Sequence, residues 1–325
     1  MRTGIRSGPP RTGPPPAPAD ARTPTGTKAR AAAKAPRSLA RLAPVLVLGQ
    51  MCSLQLGAAV AKSLYGRVDP LVVAGMRLGF AAVLLALLVR PRLASYSRAQ
   101  WLGGCALGLV FAGNNLTFFL ALDRLPLGVA ATVELVGPLL LAVALSRRPA
   151  HLAAGLLGLG GVLLLGAPGG ELPLAGLGFG LAAAGCRTAY VLLSKRVGRL
   201  FPDFGGLSLA LLAGACVLVP LAAVHSGGQV RADPGVLLPG CAVALLSSLV
   251  PYALDMTVLR RIDSRTFGVL LALTPALGAL VGLVFLGEPI GAREGVAIAL
   301  VVVAAGWSAR GQREEGRAEL KNADD

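Results

Sequence analysis

Residues 70–89 read PLVVAGMRLGFAAVLLALLV, and Arg77 is the only charged side chain among them. An α-helix rises about 1.5 Å per residue, so about twenty apolar residues cross a hydrocarbon core of about 30 Å. Similar apolar runs recur from Leu42 to Arg310, with short connections of polar, Gly or Pro residues between them. We predict ten transmembrane helices, over residues 42–64, 70–89, 101–122, 126–146, 151–167, 174–195, 207–224, 235–258, 266–286 and 290–309.

The composition agrees with an all-α integral membrane protein. Charged residues make up 14% of the 325 residues, whereas soluble proteins carry about 25%. The net charge of +15 does not indicate nucleic-acid binding, because aromatic residues are only 5% of the chain and no basic stripe is interleaved with them. Many of the 31 basic residues lie instead in residues 1–41, and most others lie at the ends of apolar runs.

The distribution of basic residues predicts the orientation in the membrane. Residues 1–41 are rich in Pro, Arg, Ala, Thr and Gly and predict a disordered basic tail, and residues 310–325 form a second tail. With both tails in the cytoplasm, the positive-inside rule is satisfied. The connections left outside then carry few basic residues: Lys62, Arg67, Arg124, Arg231 and Arg293. We expect a multi-pass protein of a bacterial inner membrane, since abundant Ala, Gly, Leu and Arg fit a GC-rich bacterial genome.

An internal repeat divides the chain. Leu122-Asp-Arg-Leu-Pro-Leu-Gly…Gly137-Pro138 aligns with Leu259-Arg-Arg-Ile-Asp-Ser-Arg…Thr274-Pro275, 137 residues later. Each half, 42–167 and 174–309, then holds five spans, and an odd number makes the two halves run in opposite directions. Two inverted five-helix repeats are typical of secondary transporters, whose substrate site lies near the bilayer midplane between the halves.

Glu134 is the strongest candidate for function, because a carboxylate inside a span is costly unless it faces a cavity or a partner. Pro138 follows four residues later and cannot donate to the carbonyl of residue 134, so a free backbone acceptor lies at the same level. We interpret Glu134 as a protonatable or amine-binding site. The alternative is a structural carboxyl, either neutral or paired with Arg77 or Arg187.

Arg77 and Arg187 also fall within spans. Either guanidinium is suited to binding a substrate carboxylate through two hydrogen bonds, or to neutralising Glu134. The sequence supports these two roles equally.

Weaker candidates occur near the prolines of the later spans. Asp255 follows Pro251 by one turn, and it either lines the cavity or extends to the inner interface. Only one of the adjacent residues Asn114 and Asn115 can face a pathway, and we retain Asn115. The remaining candidates are Tyr190 and Tyr252 for substrate contact, and Pro138, Pro251 and Pro275 for helix breaks.

No enzyme signature is present. The five cysteines all lie inside apolar runs, and the only histidines are His151 and His225, so neither a metal site nor a cofactor is indicated. Zinc-protease, serine-hydrolase and phosphate-loop motifs are absent as well. We therefore predict a protein that is not an enzyme, in which uphill transport draws on an ion gradient.

Several segments together resemble the EamA-type drug/metabolite transporters, and within them the bacterial threonine/homoserine exporter group. The resemblance covers residues 42 to 310. The matching segments are Ser53-Leu-Gln-Leu-Gly-Ala-Ala-Val-Ala-Lys-Ser63, Pro126-Leu-Gly-Val-Ala, Glu134-Leu-Val-Gly-Pro138, Ser146-Arg-Arg-Pro149, Pro251-Tyr-Ala-Leu-Asp-Met256, Arg265-Thr-Phe-Gly268 and Phe285-Leu-Gly-Glu-Pro289.

The resemblance implies two inverted five-helix halves and proton-driven export of small metabolites. It carries the family pattern E-x-x-G-P onto Glu134 to Pro138, and P-Y-x-L-[DE] onto Pro251 to Asp255. One position departs from the pattern, since Thr274 stands where the amino-acid exporters often have Glu.

We expect a secondary exporter of amino acids such as threonine or homoserine, with the substrate, protons and lipid bilayer as its partners. A homodimer is one option for the oligomeric state. The alternatives are a multidrug or sugar-nucleotide carrier and, more remotely, an intramembrane enzyme or a non-transporting membrane scaffold.

Overall fold

The computed structural model describes residues 37–145, 149–166, 172–201, 204–251 and 272–307. Within these ranges the chain forms ten α-helices and no strand, so the predicted all-α class is confirmed. The helices are α1 Arg37–Ser63, α2 Pro70–Val89, α3 Arg98–Arg124, α4 Leu127–Leu145, α5 Pro149–Gly166, α6 Leu174–Leu200, α7 Gly205–Ala232, α8 Leu237–Ala244, α9 Thr274–Leu286 and α10 over residues 292–307.

Five helices, α1, α2, α3, α6 and α7, are long and apolar enough to cross a membrane. The described apolar parts of α4, α5, α8 and α9 are shorter. Large apolar side chains cover the outside of the bundle; Leu102, Val224 and Leu238 are 73%, 82% and 81% exposed. Such a surface is unfavourable in water and suits contact with lipid chains.

Two predicted boundaries differ from the structure. The first helix begins at Arg37, so residues 37–41 belong to α1 and not to the tail. The sequence there, Arg-Ser-Leu-Ala-Arg, consists mostly of good helix formers and contains no proline. The eighth helix is not uniform, because the α-helical part ends at Ala244 and a π-helical turn, Leu245–Leu249, follows it. The rest of the tails and residues 252–271 lie outside the described residues.

The helices pack in a pattern that interleaves the two halves of the chain. α3 packs on α6 and α7, α2 on α7 and α8, α4 on α6 and α9, and α1 on α8 and α9. Small residues allow the closest approaches. At Gly108 on α3, a β-carbon would lie 2.5 Å from the carbonyl oxygen of Ala210 on α7, so the two backbones touch as in other membrane helix pairs.

The prolines act in different ways. α4 continues through Pro138 to Leu145, so the predicted break is not a helix end. The missing N–H leaves one backbone acceptor free, a defect that neighbouring helices can tolerate in a membrane bundle. Pro275 lies in the first turn of α9, where its fixed backbone angle is favourable. Pro220 lies inside α7 and was not among the predicted helix breaks.

Candidate substrate site

Glu134 lies in α4 at the place where this helix presses against α6. A β-carbon at Gly137 would overlap the carbonyl oxygen of Ala184, and one at Gly180 would lie 2.9 Å from Val133. Glycine is therefore required on both helices. Glu134 precedes Gly137 by about one turn, so the close approach holds its carboxylate beside α6.

The carboxylate of Glu134 has two polar neighbours from other helices. Arg187 Nη1 on α6 lies 3.9 Å from Glu134 Oε1, which makes an ion pair between the first and second halves of the chain. Asn114 Nδ2 on α3 donates a hydrogen bond of 3.3 Å to the same oxygen. The Glu134 side chain is 18% exposed and that of Arg187 is 41% exposed, so the pair faces an accessible space.

The two asparagines of α3 have different roles. Asn115 is 4% exposed, and its Nδ2 donates to the carbonyl oxygen of Phe111 in its own helix, at 2.8 Å. Asn114 makes the contact with Glu134 instead. The Oδ1 atoms of both asparagines are buried without a hydrogen-bond partner among the described residues. The sequence analysis selected Asn115, whereas in the structure Asn114 contacts the Glu134 carboxylate.

An aromatic wall adjoins Arg187. The guanidinium carbon of Arg187 lies 5.7 Å from the ring centre of Tyr190, and the Tyr190 ring lies 5.1 Å from that of Phe111 on α3. A cation over an aromatic face is stabilised by the ring quadrupole. Tyr190, which the sequence offered as a weak candidate, is therefore beside Arg187 in the structure.

Arg77 occupies a second polar position, at the π-helical turn after α8. Its Nη2 donates to the carbonyl oxygen of Ser247 at 3.3 Å, and its guanidinium lies 5.5 Å from the ring centre of Phe119. The α-helical donor for that carbonyl would be residue 251, which is a proline. The adjacent carbonyl of Leu246 accepts from Ser53 Oγ at 2.8 Å. π-Helical turns often occur at functional positions.

The remaining predicted residues are not all described. Asp255 and Tyr252 lie outside the described residues, and Pro251 is the last residue described before that gap. Thr274 begins α9. Within the part of the chain that the structure describes, no group of three or more His, Cys, Asp or Glu side chains is placed to hold a metal ion.

A large apolar groove lies elsewhere, between α2 and α7. Its volume is about 820 Å³, and its lining includes Gly79, Phe80 and Val219, with Arg231 as the one charged lining residue. Glu134, Arg187 and Asn114 do not line it. The polar site and this groove are therefore separate features.

The polar site combines an anion, a cation and an amide within reach of one another. A substrate ammonium would replace Arg187 at Glu134, and a substrate carboxylate would replace Glu134 at Arg187. A zwitterion therefore matches this arrangement, because its ammonium and carboxylate groups have the charges opposite to those of Glu134 and Arg187.

Comparisons with known proteins identify the family of this chain. The EamA-like transporter family matches residues 174–309. A protein named threonine/homoserine exporter RhtA from Salmonella typhimurium (strain LT2) is 35% identical over 267 residues, 80% of this chain and 89% of its own. The protein of the same name from Escherichia coli (strain K12) is 33% identical over 278 residues, 84% of this chain and 93% of its own.

A solved crystal structure shares the fold. It has a TM-score of 0.55 and 22% sequence identity, and the match covers 86% of this chain and 99% of that chain. Together with the apolar helices, these relatives make the chain a multi-pass membrane protein that transports a small molecule and is not an enzyme. The chain belongs to the EamA-like transporter family.

Proposed function

We propose that the chain exports amino acids such as threonine or homoserine, coupled to the proton gradient. The observation that carries this proposal is the 3.9 Å pair between Glu134 and Arg187, which joins the two halves inside the bundle. The relatives from Salmonella typhimurium and Escherichia coli are named for the export of threonine and homoserine, and they match most of this chain.

The charges of the pair suggest how a substrate is held. The substrate α-amine binds Glu134, and the buried Oδ1 of Asn114 accepts a further hydrogen bond from it. The substrate carboxylate binds Arg187, whose planar guanidinium offers two parallel donors. In the empty site, Glu134 and Arg187 neutralise each other. Substrate binding replaces this ion pair with two ion pairs to the substrate, so neither charge is left without a partner.

Protons enter the cycle at Glu134. A protonated carboxyl no longer binds an ammonium ion strongly, so a proton arriving from outside would release the substrate there. Deprotonation toward the cytoplasm would restore the amine site. This exchange of proton for substrate makes net export follow the proton gradient without ATP hydrolysis.

The ten spans are proposed to form two inverted repeats, α1–α5 and α6–α10. The packing between the halves supports this, because each helix contact that joins the two halves has a counterpart when every helix is exchanged for its equivalent in the other half. The contact of α4 with α6 corresponds to that of α9 with α1, and the contact of α3 with α6 to that of α8 with α1. Rocking of the halves would expose the site to each side in turn. The proposal includes a location in a bacterial inner membrane, with both termini in the cytoplasm.

A second candidate, export of lipophilic drugs, is favoured by one observation. The groove between α2 and α7 is lined almost entirely by apolar residues and has a volume of about 820 Å³, a size that accommodates drug-like molecules. This groove is on the α2/α7 face, apart from Glu134, so it would serve such a cargo without using the charged pair.

Efflux from cells that lack their own exporters tests both candidates. Cells are preloaded with labelled threonine or homoserine, with and without a protonophore, and compared with cells that carry Glu134→Ala. Protonophore-sensitive efflux that Glu134→Ala abolishes supports amino-acid export. If well-expressed protein gives no amino-acid efflux but lowers the accumulation of a lipophilic dye, the second candidate is the better one.

A further inference from the structure

Two sequence motifs that the substrate site does not use meet at one end of the bundle. Lys62 is the next-to-last residue of the segment SLQLGAAVAKS, and Glu288 belongs to FLGEP. Lys62 Nζ lies 2.6 Å from Glu288 Oε1, and the two side chains are 21% and 16% exposed. Among the ion pairs of the described residues, no other has both partners so well covered.

The same two side chains bind the turn between α3 and α4. Lys62 Nζ donates to the carbonyl oxygen of Leu125, the C-cap of α3, at 2.6 Å. Glu288 Oε2 accepts from the N–H of Leu127, the first residue of α4, at 2.8 Å. A cation at a helix C-terminus and an anion at a helix N-terminus are both favourable. The pair therefore fastens three segments: the end of α1, the α3–α4 turn and the chain after α9.

The sequence around Glu288 is built for this contact. Gly287 has φ of +67°, which glycine adopts without strain, and the N–H of Glu288 bonds to the carbonyl oxygen of Gly282 at 3.1 Å. Glycine in this left-handed conformation commonly ends an α-helix. At Gly282 itself, a β-carbon would lie 2.6 Å from Glu288 Oε2, so the absence of a side chain there makes room for the carboxylate.

We propose that Lys62 and Glu288 form a charged latch between the two halves, and that the latch must open before substrate can leave toward this end. This inference rests on the proposed function, since only a transporter that alternates between two open states needs such a latch. Lys62 belongs to the first half and Glu288 to the second. Glu134 lies seven residues beyond Leu127, about 10 Å along α4. The latch therefore lies between the substrate site and this end of the bundle.

A second contact across the halves lies nearby but is more open to solvent. Arg67 Nε donates to Asp233 Oδ2 at 2.8 Å, with side chains 47% and 38% exposed. Exposed pairs of this kind contribute little. Lys62 and Glu288, by contrast, are partly covered and also bind backbone groups, so loss of either partner leaves several polar groups unpaired.

Thiol labelling tests the latch without any transport measurement. Gln55, seven residues before Lys62 on α1, is 2% exposed. In right-side-out vesicles, a Gln55→Cys protein is treated with a membrane-impermeant maleimide and compared with the parent protein, which carries only the native cysteines. We expect Glu288→Gln or Lys62→Met to raise the labelling rate at least tenfold. The matched control is Asp123→Asn, which removes the exposed partner of Arg124 and leaves the rate unchanged.

Misfolding is separated from opening by restoring the charges. The exchange Lys62→Glu/Glu288→Lys rebuilds the ion pair but not the hydrogen bonds to Leu125 and Leu127, so we expect it to lower the labelling rate of the single variants part of the way to the parent's. If labelling of Gln55→Cys is the same with and without the latch charges, the inference is wrong.

Cross-linking tests whether the latch must open during transport. The pair Lys62→Cys/Glu288→Cys is bridged with a reducible bifunctional thiol reagent, which should stop efflux of labelled threonine until a reductant is added. Each single-cysteine variant, treated alike, continues to export. Full efflux from the bridged protein overturns the latch. If the parent protein transports no threonine but the labelling rate still depends on Lys62 and Glu288, the latch is supported and the proposed substrate is wrong.

Discussion

Gly137 on α4 packs so closely on Ala184 of α6 that no β-carbon fits between them. This contact sets the distance between the helix that carries Glu134 and the helix that carries Arg187. A small residue at a helix interface thus determines the geometry of a charged pair about one turn away along α4 and α6.

A larger side chain at position 137 is therefore expected to reduce both the stability and the transport activity of the protein. Gly137→Val should force α4 away from α6, at a cost of about 1–3 kcal/mol, and should lower both thermal stability in detergent and efflux. Gly185→Ala on α6 is the matched control, because a β-carbon there meets no atom within 4 Å. Equal stability of the two variants would contradict the role given to Gly137.

Arg187 is expected to set the affinity for the substrate carboxylate. A charged hydrogen-bonded contact is worth about 1.5–3 kcal/mol, so Arg187→Gln should raise KM about 10- to 100-fold. Arg187→Lys keeps the charge but loses the planar fork, and should give an intermediate KM. The control is Arg199→Gln, an exposed residue on the same helix. Efflux rates measured over a range of internal threonine concentrations provide these values.

Arg77 is expected to act on stability more than on affinity. Arg77→Met removes the hydrogen bond to the Ser247 carbonyl, and a hydrogen bond to a charged group contributes about 1.5–3 kcal/mol. Thermal unfolding in detergent should shift downward, while KM should stay within about threefold of the parent value. A large rise in KM with unchanged stability would instead assign the substrate carboxylate to Arg77.

The two asparagines of α3 offer a comparison within one helix. Asn114→Leu removes the hydrogen bond to Glu134 and should raise KM about tenfold or more. Asn115→Leu removes only a bond to its own helix at Phe111, so KM should change little. The kinetic measurement is made beside a stability measurement, because both positions lie in the core of the bundle. The opposite order of effects would return Asn115 to the substrate site.

The sequence was sufficient to predict the features that depend on hydrophobicity and on the free-energy cost of a charge in lipid. Apolar runs predicted the helices, and the isolated charges within them pointed to Glu134, Arg77 and Arg187. The same reasoning failed to choose between the arginines, because the choice depends on which helices pack together. It also retained Asn115, since successive residues differ by about 100° around a helix and only the tertiary packing decides which one faces α4.

Local backbone features were harder still to predict. Pro138 was expected to break its helix, but α4 continues through the proline to Leu145. The π-helical turn Leu245–Leu249 has no simple sequence signal, and it changes which carbonyls face Arg77. The contact between Lys62 and Glu288 joins positions more than two hundred residues apart, so no local pattern revealed it.

The most direct test of the central claim is the pH dependence of threonine transport by purified protein in liposomes, with Glu134→Gln compared to the parent. Gln keeps the size of Glu134 but neither ionises nor takes up a proton. Asp123→Asn serves as the control for loss of a carboxylate elsewhere. We expect transport driven by a pH gradient to be lost in Glu134→Gln and retained in Asp123→Asn. Normal transport by Glu134→Gln, with the pH dependence of the parent, would contradict the assignment of Glu134 as the site where proton and substrate exchange.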